Sequence, residues 1–167
     1  MTGGATTGSF PAPGHDHAHC IEQAIQRTEA AFSTRGMRLT PLRRSVFIEI
    51  ASSHQALGAY EILERLSKKK GRLAPISVYR ALEALLAAGA VHRLESRNAY
   101  FACHAAHHTT REPVILACRG CGRIAEVPGE EVFEAIKTAA ALADFRPSSS
   151  VVEIIGLCAI CDRTQEH

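Results

Sequence analysis

Three things are missing from these 167 residues, and each absence excludes a class of function. No stretch approaches the roughly 20 consecutive apolar residues that a membrane-spanning helix needs. The first twenty residues lack the basic start and apolar centre of a secretory signal, so a soluble, cytoplasmic protein is expected, with no membrane partner. Catalytic signatures are missing too. The deaminase pattern of His-x-Glu with Pro-Cys-x-x-Cys does not occur, and neither does a Ser/His/Asp arrangement or a phosphate-binding loop. An enzyme with a small-molecule substrate is therefore not expected, and a zinc-dependent hydrolase is a remote alternative.

What is present is unevenly distributed. The net charge of +2 hides a division along the chain. Residues 21–97 carry 13 Lys and Arg against 7 Asp and Glu, whereas residues 98–167 carry 6 against 9. A basic first half and an acidic second half suggest that only the first meets a polyanion.

The length suits one compact domain or two small ones, and the patterning favours two. Residues 1–19 hold almost no large apolar side chain and read as a flexible, His-containing tail. From Cys20, the spacing of Ile21, Ala24, Ile25, Thr28, Ala31 and Phe32 predicts a helix that Gly36 can end. Thr40-Pro41 supplies an N-cap and a proline at the first position of a second helix, through about Ala51. A third helix is expected over 59–70 before Gly71, and a fourth from Pro75 to Gly89. AVHRLES and AYFACH then form two short strands about an Arg97-Asn98 turn. Helices followed by a two-stranded hairpin outline a winged helix-turn-helix. PVILACRGCGRIAEVP reads as strand, knuckle and strand. EEVFEAIKTAAALADF reads as an amphipathic helix with Val132, Phe133, Ile136, Ala140 and Ala143 on one side. SSSVVEIIGLCAICD reads as a last strand, closing an α/β unit too small to be comfortable without a staple or partner. The fold class is thus α/β (α+β), with a winged-helix domain at 20–104, a hinge at 105–111 and a second domain at 112–167.

Cys118-x-x-Cys121 and Cys158-x-x-Cys161 supply the staple. Two thiolates three residues apart at a tight turn can face one cation, and two such pairs make the tetrahedral S₄ set of structural zinc. A redox dithiol would need one pair at a helix start, and neither pair is expected to precede a helix.

Arg38-Leu39-Thr40-Pro41 with Arg43, then Ser77-Val78-Tyr79-Arg80-Ala81-Leu82, Val91-His92 and Cys118-x-x-Cys121-Gly122 span most of the chain. Joined in this order, they resemble the ferric uptake regulator family of bacterial metal sensors. The resemblance implies a homodimer, formed through the second domain, that binds a palindromic double-stranded DNA operator. The residues agree with it. Val78, Leu82 and Leu85 share one stripe of the fourth helix, which leaves Tyr79 and Arg80 off it, with Ser77 in the first turn. Arg80 suits guanine O6 and N7, and Tyr79 a thymine methyl, although partial burial of Tyr79 is an alternative. Arg38, Arg43, Arg44 and Lys68–Lys70 could meet phosphates, or the lysines could simply cap a solvated helix end.

A closed S₄ site explains folding but not response, which needs a second, exchangeable site. His92, Cys103, His104, His107, His108 and Glu126 remain as donors. The set expected from the zinc uptake regulator branch is His92, Cys103, His108 and Glu126, with His107 as the alternative to His108. A thiolate with imidazoles and one carboxylate suits Zn²⁺. Iron-sensing relatives use a histidine cluster before the knuckle that is not matched here. Two zinc ions per chain are therefore expected, one structural and one regulatory, and the resemblance implies a zinc-responsive repressor of zinc-uptake genes. An iron-responsive or general metal regulator is the alternative. The donor-rich stretch GHDHAHC, Gly14 to Cys20, reads as a solvated tail, with zinc gathering as its alternative role.

Overall fold

The computed structural model describes residue 10, residues 17–103 and residues 113–165. From residue 17 on, these fall into two compact units, one within Ala12–His104 and one within Ala105–His167. Residues 1–9 and 11–16, to which most of the tail expectation belongs, lie outside the described residues, as do 104–112 and therefore His104, His107 and His108.

The first unit runs α1 (His17–Thr34), α2 (Pro41–Ala51), β1 (Leu57–Gly58), α3 (Ala59–Lys70), α4 (Pro75–Ala88), β2 (Val91–Leu94) and β3 (Ala99–Ala102). Helix α1 starts at His17 rather than at Cys20, taking in the last three residues of the stretch expected as tail. Its end is Gly36, at φ 64°, where a side chain would be strained. Thr40 caps α2, its Oγ1 accepting from the Arg43 amide at 3.4 Å, and Pro41 follows at the first helical position.

Val78, Leu82 and Leu85 of α4 are fully buried against Phe32, Val46, Phe47, Ile50, Ile62 and Leu66. Each such burial contributes about 1.5–3 kcal/mol. Glu49 is the exception in this core. It is buried on α2 and paired with Lys69 at the far end of α3, which ties those two helices together.

β2 and β3 form the expected hairpin, through a 3₁₀ turn over Glu95–Arg97 and a left-handed Asn98 at φ 48°. The third strand, β1, pairs with β3 through only Leu57 and Gly58, too short a run to carry a period-two signal.

The second unit runs β4 (Pro113–Cys118), β5 (Ile124–Pro128), α5 (Glu130–Leu142), β6 (Val152–Gly156) and α6 (Ala159–Gln165). Its sheet has the order β5-β4-β6, with β4 antiparallel to β5 and parallel to β6. The parallel pair requires a crossover, which α5 provides. Two expectations are corrected here. On α5 only Phe133 of the proposed face is buried, while Val132 stands exposed, because one chain alone does not cover that side. The last strand stops at Gly156, and the second cysteine pair opens the short helix α6 instead of extending the strand.

No helix among the described residues is long and apolar enough to cross a membrane.

Candidate metal centre and nucleic-acid interface

β4 ends on Cys118, and the chain turns through Arg119 and Gly120 to Cys121 before returning as β5. The turn is closed by Gly122 N–H donating to Cys118 O at 2.9 Å, with Gly122 at φ 72°. The parallel neighbour β6 delivers Cys158 and Cys161 to the same end of the sheet, where the Arg119 amide donates to Gly156 O at 2.8 Å. All four ligand sulfurs lie within 4.8 Å of one another. Sulfurs each about 2.3 Å from one ion at tetrahedral angles stand about 3.8 Å apart. Cys121 Sγ and Cys158 Sγ are 3.8 Å apart. The donor set therefore fits a closed, four-coordinate cation.

The thiols are tuned unequally. Burial pushes Cys118 up, but amides of Cys121, Cys158 and Gly120 donating to its sulfur outweigh it and hold the thiol at about 6. The Cys158 amide reaches that sulfur at 3.3 Å. Cys158 is also lowered, first by the Cys161 amide, against the effect of burial. Cys161 is pushed up to about 12, by burial and by hydrogen bonding with the other sulfurs. Because Cys158 and Cys161 do sit at a helix start, the lack of a helix does not speak against a redox dithiol; the convergence of both pairs does. Gly120 is a participant that the sequence reading missed. A β-carbon there would lie 2.9 Å from both Cβ and Sγ of Cys161. The glycine immediately before Cys121 was the available signal.

In the first unit, His92 pairs across the hairpin with Phe101, and Cys103 follows two residues later, just past the end of β3. Their ligand atoms lie within 4.8 Å of each other. The His92 ring leans on Phe101 at 5.6 Å between centroids, and the Cys103 amide donates to Ala90 O at 3.2 Å. Glu126 belongs to the second unit, on β5 opposite Ile115.

The first turns of α4 present Tyr79 and Arg80 to solvent, while Ser77 is half-buried, its amide bonded to Ala74 O at 3.0 Å. Tyr79 stands edge-on to Tyr60; burial raises its hydroxyl pKa, and the neighbouring Tyr60 adds to the rise. Arg38 is exposed. Arg43 is engaged within the protein, donating from Nη1 to Arg38 O at 2.6 Å with its guanidinium 5.8 Å from the Phe32 ring centre. Arg44 pairs with Glu29 at 3.8 Å, and Lys68 with Glu64 at 2.6 Å.

The sequence pattern of the Ferric uptake regulator family matches residues 34–155. The zinc uptake regulation protein of Escherichia coli (strain K12) is 34% identical over 140 residues, covering 84% of this chain and 82% of its own. A solved zinc uptake regulator in complex with zinc and DNA superposes with a TM-score of 0.79 at 33% identity, over 92% of this chain and 99% of that one. Holo XcZur gives 0.75 at 36% identity, over 84% of this chain and 98% of the other. Winged helix, sulfur cage and these likenesses agree: the chain belongs to the ferric uptake regulator family of transcription regulators, in the branch of the zinc uptake regulators.

Proposed function

We propose that this chain is a zinc-responsive transcriptional repressor that acts in the cytoplasm as a homodimer on a palindromic DNA operator controlling zinc uptake. The observation that carries this reading is the thiol–imidazole pair of Cys103 and His92 beside the winged helix, in a chain similar over most of its length to zinc uptake regulators. A soft thiolate beside an imidazole selects Zn²⁺ over the harder cations.

Two zinc ions per chain are proposed. Cys118, Cys121, Cys158 and Cys161 would hold the structural ion, whose chemistry is a crosslink between β4 and the start of α6. The regulatory ion would draw on His92, Cys103, His108 (His107 the alternative) and Glu126. Since each sulfur must be deprotonated to bind, affinity for both ions falls as pH falls. A ligand bound more tightly by the DNA-competent arrangement than by the others shifts the population toward it.

On the DNA side, Tyr79, Arg80 and Ser77 face the bases from the start of α4, and Arg38, held by Arg43, meets phosphate. Dimer formation is supported by the edge position of β6 among the described residues and by the exposure of Ile154 and Ile155 on it, with Val151 just before it and Leu142 and Phe145 nearby in sequence on the same unit. An apolar strand edge of this kind calls for a partner.

A DNA mobility shift across buffered free zinc, with bound metal counted, tests the reading. Two zinc ions per chain and zinc-dependent binding are expected. Activation by Fe²⁺ at lower free concentration than Zn²⁺ would overturn it in favour of an iron regulator.

A further inference from the structure

Among the described residues of the first unit, large apolar side chains stay in water at Tyr60, Ile76 and Tyr79, which are 74%, 58% and 37% exposed. Ile76 and Tyr79 are three residues apart on α4, so they share a face at its N-terminal end. Tyr60 comes from a different helix, as the second residue of α3. Its ring nevertheless stands edge-to-face on Tyr79, with centroids 6.5 Å apart and planes at 86°. This is the preferred geometry of an aromatic pair, the positive edge of one ring against the negative face of the other.

Tyr60 is too exposed to serve the core, and among the described residues its ring meets the ring of Tyr79 on α4. We propose that Tyr60 is a specificity-positioning residue: by bracing the Tyr79 ring from α3, it makes the two tyrosines one rigid apolar platform that reads thymine methyl groups in the major groove. A long side chain at a helix surface otherwise samples several rotamers, and each binding event must then order it. Bracing removes that cost and sharpens the apolar contact with the C5-methyl that distinguishes thymine.

The inference rests on the DNA-binding reading above, and the test separates the two. The zinc-loaded full-length protein is first used to enrich duplexes from a randomised library. Affinity is then measured by fluorescence anisotropy on the enriched duplex and on the same duplex with deoxyuridine replacing each thymidine in turn. Wild type should show a penalty for losing the methyl at one or more positions.

Tyr60→Ala should bind about two- to tenfold more weakly, the range for loss of an aromatic pair, and its deoxyuridine penalty should shrink toward that of Tyr79→Ala. Tyr60→Phe, which keeps the ring, should restore both affinity and penalty. Circular dichroism should show both variants as helical as wild type. An undiminished penalty in Tyr60→Ala would overturn the inference, and so would failure of Tyr60→Phe to restore it. If wild type enriches no sequence in the presence of zinc, the DNA-binding reading falls, and this inference falls with it.

Discussion

At Gly120 the closeness of Cys161, 2.9 Å from where a β-carbon would sit, leaves no room for any side chain without moving a ligand sulfur. Gly120→Ala should therefore lower zinc affinity of the sulfur cage by about tenfold or more, a size usual for disturbed metal surroundings. Competition against a chromophoric chelator measures it. The two kinds of cysteine should separate cleanly. Cys118→Ser removes a buried sulfur that receives three backbone amides and should abolish the fold or the dimer, read as lost helicity or a monomer by sizing. Cys103→Ser sits past the end of β3, outside that cage, and should leave a folded dimer that no longer binds operator when zinc is added. If both variants behave alike, the division into structural and regulatory sites is wrong. The cysteine pairs were legible because their spacing is a local constraint. Tyr60 was not, because its partner lies on the next helix and no periodicity joins them.

Helix α4 has two duties on opposite sides. One side buries Val78, Leu82 and Leu85, and the other presents Tyr79 and Arg80. Leu85→Ala should cost about 2–5 kcal/mol of stability, measured by urea unfolding of the zinc-loaded protein. Arg80→Ala should leave unfolding unchanged within roughly 0.5 kcal/mol, while weakening operator binding by about tenfold or more. The division was readable in advance, since a 3.6-residue period assigns each residue a side. Helix α5 shows the limit of the same reasoning. Its apolar pattern is real, yet Val132 is exposed, because periodicity says which side is apolar and not what covers it. Helix α6 was missed altogether. At seven residues it is shorter than a reliable periodic signal, and the strand-like run before it suggested a continuing strand.

At the scale of the whole molecule, β6 is an edge strand among the described residues, and it carries the exposed Ile154 and Ile155. Ile155→Asp should yield a folded monomer by light scattering, with zinc still held by the four cysteines. Deleting residues 1–19, which removes His15, His17 and His19, should leave zinc-dependent operator binding intact, since the proposed ligands all lie elsewhere; a lost zinc response would give the His-rich stretch a role. Operator affinity should also fall steeply with salt, on the order of a thousandfold between 50 and 200 mM if about six phosphates are contacted.

The sequence by itself determined the class of fold, the two-part division of charge, the spacing of the two cysteine pairs and the two-sidedness of the fourth helix. Each of these is a short-range matter of spacing, period or composition. Only the tertiary structure decided that the parallel neighbour β6 carries the second cysteine pair to the end of β4, that the ligand atoms of Cys103 and His92 lie together, and that the rings of Tyr60 and Tyr79 meet edge to face. These depend on strand register and helix packing, which place residues far apart in the chain within ångströms of one another, and no local pattern specifies them.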